Sequence, residues 1–290
     1  MGFLTSLAIA VGPLSLTAYT SYTSVLYKAY YRRQFPLSGA AMESVAAGEG
    51  VPAFEDLRIA VTDKASIHAW WLPGEDGGGK TLLFLHGPRS TIEREARAEI
   101  ARLHRIGVNV LYLDYRGYGT SSAAETTPYT AVDDAKAALG YLTGTRGIDR
   151  SQIWIGGLAS GATVAAWLAG IEASTEGPQF GGLILVSPTS GLVDPEPFRG
   201  FVPGVARLRG AVIRRVDVLS RIGSVRAPVL IIAPTEDTAV IPPVAAAVYE
   251  RANEPKRLRL VDGTRLENGT GLRVDGRKVV DIMAETIRAF

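Results

Sequence analysis

The sequence predicts an α/β fold with a mostly parallel sheet, helices on both faces and a short helical cap. Three observations lead to this prediction. Short apolar runs alternate along the chain with segments of helical periodicity. Several of these runs are apolar throughout, as in strands that are buried on both faces of a parallel sheet. A glycine-rich corner at residues 156–161 joins one such run directly to a helix of small residues. Strands and helices that alternate in this way form a sheet covered on both faces.

The first half of the domain is predicted from turn and capping signals. Residues 62–65 separate two alternating runs and indicate an antiparallel hairpin. Ser90 and Glu93 have the spacing of a capping box, and Pro128 stands at the first position of a helix, where proline is tolerated. The predicted elements are the strands Leu57–Val61, Ser66–Leu72, Thr81–Leu85 and Val108–Leu113 and the helices Ser90–Arg105 and Thr127–Leu142.

The second half continues the alternation. A strand from Ile153 leads through the glycine corner into a helix, and apolar runs separated by helical segments follow as far as the C-terminus. The predicted elements are the strands Gly182–Val186, Pro228–Ile232 and Arg257–Val261 and the helices Pro243–Ala252 and Gly276–Ala289. Residues 195–225 interrupt the pattern and are predicted to form the cap.

The N-terminus predicts a membrane anchor. Residues 1–27 contain no charged side chain, and about 20 apolar residues are enough to span a bilayer. A cleaved signal peptide would begin with basic residues, which are absent here. Aromatic and basic residues that are expected at the membrane surface follow the apolar stretch: Tyr19, Tyr22, Tyr27, Lys28, Arg32 and Arg33. The positive-inside rule then places the globular domain on the cytoplasmic (or matrix-like) side. The chain is therefore divided into a single-pass transmembrane anchor (1–33), a linker rich in Gly, Ala, Pro and Ser (34–56) and one domain (57–290).

Composition excludes several classes of function. The net charge of +2 is too small to favour nucleic acid as a partner. The chain has no cysteine, which excludes a disulfide framework, a thiolate nucleophile and a cysteine metal site. We find no histidine and carboxylate spacing typical of a metal site, no phosphate-binding loop and no dinucleotide fingerprint, so no cofactor is predicted.

Four motifs together resemble those of the α/β-hydrolase superfamily, and most closely the serine acyl hydrolases that carry an N-terminal membrane helix. They are His86-Gly87 after one strand, Asp114-Tyr-Arg-Gly-Tyr-Gly after the next, the corner Gly157-Leu-Ala-Ser-Gly161, and Glu236-Asp237 after a late strand. The resemblance implies an α/β-hydrolase fold over about residues 55–290. It also implies a Ser, Asp and His triad, with the serine at the corner and the histidine after the last strand.

The catalytic positions that the resemblance implies are degenerate. Ala159 stands where the nucleophilic serine belongs, and its methyl group cannot attack a carbonyl. No histidine follows the last strand, where Arg265 lies near the expected place and cannot act as a base. Pro88 follows His86-Gly87 and has no N–H to donate to an oxyanion. Asp237 matches the carboxylate, which we interpret as bracing its loop, and Ser160 is a nucleophile only if the protein is a divergent enzyme.

Two further features have structural and functional interpretations. Asp114 and Arg116 are interpreted as a pair that braces its own loop. The segment from Arg199 to Arg226, which includes most of the cap, carries seven arginines against one acid, with apolar residues at helical spacing. It is either a solvated helix or a surface for anionic lipid or an acidic partner, with Arg207, Arg214 and Arg215 as its contact residues.

These observations lead to two hypotheses of function. The first is a catalytically inactive, membrane-tethered scaffold or accessory subunit of a membrane protein complex, with lipids and integral-membrane proteins as partners. The second is a divergent hydrolase of the esterase type, or a small-ligand binder that uses the remaining cleft. The fold by itself does not decide between them.

Overall fold

A computed structural model describes residues 52–74, 79–88, 90–95, 99–124, 126–173, 180–189, 216–235, 241–265, 272–274 and 276–290. The predicted anchor and most of the predicted linker and cap lie outside these residues. Within the part of the chain that is described, every helix is too short or too polar to span the hydrocarbon core of a bilayer.

The predicted alternation of strands and helices is confirmed. The strands are β1 (Glu55–Thr62), β2 (Ala65–Leu72), β3 (Thr81–Leu85), β4 (Asn109–Asp114), β5 (Ile153–Leu158), β6 (Gly182–Val186), β7 (Val229–Pro234), β8 (Lys256–Val261), β9 (Gly263–Arg265) and β10 (Leu272–Val274). The helices are α1 (Ile92–Glu95), α2 (Ala101–His104), α3 (Pro128–Gly140), α4 (Ser160–Glu172), α5 (Val218–Arg221), α6 (Ile241–Arg251) and α7 (Gly276–Ala289). The β9–β10 hairpin was not predicted.

Eight strands form one sheet in the order β1-β2-β4-β3-β5-β6-β7-β8. The strands from β4 to β8 run parallel, and β2 pairs antiparallel with both β1 and β4. Every residue of β3 to β7 is buried, which explains why the central residues of these strands are apolar instead of alternating with polar ones. The carboxyl ends of the parallel strands therefore share one edge of the sheet, where ligands bind in open α/β folds.

Helix α7 closes one face of the core. Its apolar side chains recur at steps of three and four residues, and the charged residues Lys278, Asp281, Glu285 and Arg288 between them are exposed. The buried members, which join side chains of β3, β4, β6 and β7 in one cluster, are Val279, Val280, Met283, Ala284 and Ile287. The C-terminal helix therefore contributes to the core of the domain.

Two local predictions need correction. The strand β1 begins at Glu55, inside the predicted linker, because its pairing with β2 extends to Trp71. The helix predicted for Ser90–Arg105 is helical at Ile92–Glu95 and Ala101–His104, and residues 96–98 between them lie outside the described residues. Ser90 does not form the predicted capping box. The first N–H of α1, on Ile92, instead donates a hydrogen bond to Asp114 Oδ1 at 2.9 Å, and Asp114 is 22 residues further along the chain.

The end of the predicted cap packs on the sheet-covering helix α4. Val216 and Val218 are buried, and the Arg221 guanidinium lies 4.7 Å from the centroid of the Trp167 ring. A Cβ on Gly170 would lie 2.9 Å from the Arg221 carbonyl oxygen, so the two backbones are close together. This part of the basic segment is therefore held against the domain. Arg207, Arg214 and Arg215 lie outside the described residues.

Candidate functional site

The glycine corner forms a sharp turn between β5 and α4. Ala159 has φ 53° and ψ −112°, a conformation that is uncommon for a residue with a side chain. The Ala159 N–H donates to the Val186 carbonyl at 2.9 Å, and the side chain is buried. A strained strand-to-helix turn of this kind presents the nucleophile in α/β-hydrolases. The turn is kept here, although the residue at its tip is alanine.

Two glycines make the corner possible by close backbone contact. A Cβ on Gly157 would lie 2.4 Å from the Gly161 carbonyl oxygen. A Cβ on Gly161 would lie 2.0 Å from the Leu85 carbonyl oxygen and 2.5 Å from that of His86. The start of α4 is therefore packed directly onto the end of β3. Larger residues at either position would force the turn apart.

The segment His86-Gly87-Pro88 adjoins the corner, where an oxyanion loop belongs. A Cβ on Gly87 would lie 3.7 Å from the Ala159 Cβ. Pro88 is buried and cannot donate a backbone hydrogen bond. Ser160 is half-buried and is the first residue of α4, where backbone N–H groups have no partner within the helix. The resemblance implies two backbone N–H donors to an oxyanion. Ser160 has such an N–H at the start of α4, whereas Pro88, which follows Gly87, has none.

His86 is the histidine nearest in sequence to this loop, but its ring points into the core. It is fully buried, and its Nδ1 donates to the Gly87 carbonyl at 2.7 Å. The ring contacts three tyrosines, with centroid distances of 4.7 Å to Tyr115, 5.2 Å to Tyr118 and 5.9 Å to Tyr112. Burial lowers the pKa of His86, although the nearby Asp114 charge and the Gly87 carbonyl oppose this shift. His86 is therefore a neutral packing residue.

The other positions that the resemblance implies are only partly described. Asp237 lies outside the described residues, beyond the end of β7. The backbone of Arg265 pairs with Leu272 in the β9–β10 hairpin. The predicted membrane residues Tyr19, Tyr22, Tyr27, Lys28, Arg32 and Arg33 also lie outside the described residues.

The predicted pair of Asp114 and Arg116 does not form, because a turn after β4 directs the two side chains apart. Arg116 Nε donates to Asp134 Oδ1 of α3 at 2.5 Å, and the Arg116 backbone N–H donates to Asp134 Oδ2 at 2.8 Å. Asp134 is fully buried. This pair was not predicted, since the two residues are 18 positions apart and no local pattern joins them.

Asp114 instead lies in a buried cluster with His68 and Glu93. Its Oδ2 is 3.6 Å from His68 Nδ1, and its Oδ1 is 3.7 Å from His86 Nε2. Burial and the Asp114 charge raise the pKa of Glu93. Burial acts to lower the pKa of His68, but the carboxylates of Asp114 and Asp56 outweigh it and raise that pKa.

Comparison with known proteins identifies relatives over most of the chain. Residues 79–222 match the model of the serine aminopeptidase S33 family. An uncharacterised protein of Mycobacterium tuberculosis is 32% identical over 259 residues, which are 88% of this chain and 84% of that protein. The α/β hydrolase domain-containing protein WAV2 of Arabidopsis thaliana is 27% identical over 210 residues, which are 69% of this chain and 67% of that protein.

Solved structures share the fold at low identity. An α/β-hydrolase of Vibrio vulnificus superposes with a TM-score of 0.66 at 18% identity, over 91% of this chain and 93% of that one. An esterase of Pyrococcus furiosus gives 0.62 at 22% identity, over 86% and 92%. Est1E of Butyrivibrio proteoclasticus, with ferulic acid bound, gives 0.62 at 19%, over 80% and 98%. With these relatives and this topology, the chain belongs to the α/β-hydrolase superfamily.

Proposed function

We propose that this protein is a small-ligand binder with the α/β-hydrolase fold, which binds a small acyl compound at its elbow without forming an acyl-enzyme. The elbow is the corner Gly157–Gly161. The observation that carries the proposal is the strained conformation of Ala159, which keeps the family's presentation geometry although alanine has no nucleophile. Backbone strain of this kind costs about 1–3 kcal/mol and is concentrated at functional sites.

The groups around the elbow favour binding of a ligand over the covalent catalysis that is typical of the family. The first N–H groups of α4 carry the positive end of the helix dipole and suit a carbonyl oxygen. A covalent step at residue 159 would need a hydroxyl or thiol and a general base. Of the chain's three histidines, His86 is buried among tyrosines, while His68 and His104 are bonded to Asp56 and to the Pro73 carbonyl. The esterase neighbours and the ferulic acid bound to Est1E suggest aromatic or short-chain acyl esters as ligands.

We expect calorimetry to detect saturable binding of methyl ferulate or p-nitrophenyl butyrate by the full chain, with no covalent labelling by a fluorophosphonate. Ser160→Tyr would place a ring at the elbow and abolish binding. Ser224→Tyr is the matched control: residue 224 is exposed and precedes β7, and so lies at the opposite edge of the sheet from the end of β5. Ala159→Ser alone would gain no turnover, because a triad serine without its histidine is about as inactive as a triad removed entirely.

Two results would overturn this proposal. If neither ester binds at millimolar concentration, the elbow is not a ligand site of this class. If the wild-type protein hydrolyses the esters or is labelled, and Ser160→Ala abolishes both, then Ser160 is the nucleophile and the protein is a divergent enzyme.

The second candidate function is a catalytically inactive scaffold tethered to a membrane, and it rests on two observations. Three catalytic parts are lost at separate points of the sequence, at Pro88, at Ala159 and after the last strand, and residues 1–27 carry no charge. We expect the full chain to stay in the pellet after alkaline carbonate extraction and to be released when Leu14→Asp and Leu16→Asp are combined. Wild-type protein in the carbonate supernatant would contradict the tether.

A further inference from the structure

A buried cluster of three ligand-type side chains lies away from the elbow. His68 of β2 and Asp114 of β4 are direct partners in the antiparallel register. Glu93 belongs to α1, whose first N–H is held by the other oxygen of Asp114 at 2.9 Å. The cluster therefore joins the antiparallel hairpin, the carboxyl end of β4 and the segment that follows β3.

The polar atoms that face each other in this cluster lack hydrogen bonds. His68 Nδ1, Glu93 Oε2 and Asp114 Oδ2 are buried, and none of the three has a hydrogen-bond partner among the described residues. Asp114 is 0% exposed and His68 is 4% exposed. An unsatisfied buried polar group costs about 1–3 kcal/mol, and more when it is charged. Three such atoms pointing at one another indicate a missing ligand.

The spacing suits one metal ion. The three atoms lie within 4.8 Å of one another. The ligand atoms of one tetrahedral Zn²⁺ are about 3.3–3.6 Å apart, given bonds of about 2.0–2.2 Å. Small rotations of the Glu93 and His68 side chains would therefore bring all three atoms into coordinating distance.

The neighbouring residues hold the ligands as a metal site requires. His68 Nε2 is 2.9 Å from Asp56 Oδ1, which as a carboxylate oxygen accepts its proton. This bond turns Nδ1 toward Asp114, and such a carboxylate–histidine contact is typical of metal-ligating histidines. Gly119 has φ +46°, and a Cβ there would lie 2.0 Å from Asp114 Oδ2 and 3.3 Å from Glu93 Oε2. A glycine at 119 therefore leaves the space that the carboxylates occupy.

We propose that His68 Nδ1, Glu93 Oε2 and Asp114 Oδ2 bind a divalent cation, with Zn²⁺ as the first candidate and Mn²⁺ as the second. One imidazole and two carboxylates are a ligand set of borderline hardness, which suits these ions. The two carboxylates carry a charge of −2 that a divalent ion neutralises, whereas a single shared proton neutralises half of it. The site is structural, because it connects β2, β4 and α1.

The test is metal content and affinity of the untagged full chain, measured in mild detergent. After treatment with EDTA and incubation with Zn²⁺ or Mn²⁺, we expect about one equivalent of metal to remain through gel filtration, together with a raised melting temperature. Metal that binds the native state stabilises it by mass action. Replacing the bound ion by Co²⁺ should give the visible absorption bands of a cobalt site with a low coordination number.

Three variants separate this site from adventitious binding. Asp114→Asn keeps an oxygen for the Ile92 N–H but removes the ligand charge, and we expect it to lose the metal. Asp56→Asn changes an exposed carboxylate and should weaken binding about 10–100-fold, as loss of a supporting contact does elsewhere. His104→Ala is the matched control, because it removes a histidine that is not in the cluster, and its affinity should equal that of the wild-type protein.

Two results would overturn the proposal. One is a wild-type protein that retains neither ion after gel filtration, which would mean that the three groups share protons. The other is equal metal uptake by folded Asp114→Asn and by the wild-type protein. If Asp114→Asn does not fold, Asp56→Asn provides the test instead, because unchanged metal affinity in that variant would contradict the proposal.

Discussion

Gly161→Ala is expected to lower the free energy of unfolding by about 4 kcal/mol or more. Losses of this size are exceptional for a single substitution, and overpacking is one of their causes. The added methyl would lie 2.0 Å from the Leu85 carbonyl oxygen and 2.5 Å from that of His86. Both obstacles are backbone atoms of a buried strand and its extension, so they cannot move away without separating α4 from β3. Urea unfolding followed by tryptophan fluorescence measures the loss, since Trp154 is fully buried in the same sheet.

Gly140→Ala is the matched control for this variant. Gly140 ends α3 with helical dihedral angles, and a Cβ there would have no atom within 4 Å. Alanine in place of helical glycine should raise stability by about 0.5–1 kcal/mol. If Gly161→Ala and Gly140→Ala have the same free energy of unfolding, then the close approach of α4 to β3 does not determine the conformation of the elbow.

Asp134→Ala should cost about 3–5 kcal/mol, because removing one partner of a buried ion pair leaves the other charge uncompensated. The Arg116 side chain, 11% exposed, would lose the 2.5 Å hydrogen bond from its Nε. The Arg116 backbone N–H would lose its acceptor as well. Because these bonds hold the loop after β4 against α3, the same urea titration should show the loss.

The adjacent Asp133→Ala controls for the helix itself. Asp133 is 66% exposed and lies 3.8 Å from Arg116 Nη2, on the same helix as Asp134. Exposed ion pairs contribute about 0–1 kcal/mol, so we expect a change within that range. A loss of stability equal to that of Asp134→Ala would show that net charge near Arg116, and not the buried geometry, is what matters.

The central strands could be predicted from sequence because their burial on both faces makes them apolar throughout. Thr81–Leu85 and Gly182–Val186 were predicted with the bounds that the structure has. The elbow could be predicted for a related reason: only glycines fit at 157 and 161, so they mark the corner even without a serine between them. Signals of this kind are local and require no knowledge of the partner strand.

Contacts over long sequence separations could not be predicted. The N-terminus of the helix predicted from Ser90 is capped by Asp114 instead of by the local serine. The partner of Arg116 is Asp134, on another element, and not Asp114 two residues away. His68, Glu93 and Asp114 come together only through the β2–β4 register and the position of α1. No spacing along the chain indicates such a cluster.

The strand order also bears on self-association, because β8 ends the described sheet. An unpaired edge strand can recruit the same strand of a second copy. Along β8 the residues Lys256, Arg257 and Arg259 put three positive charges within six positions, and Leu260 beside them is 55% exposed. Two copies aligned through this strand would bring the basic side chains of both copies close together, which opposes pairing. The basic edge therefore limits growth of the sheet by repulsion, even where an exposed leucine favours contact.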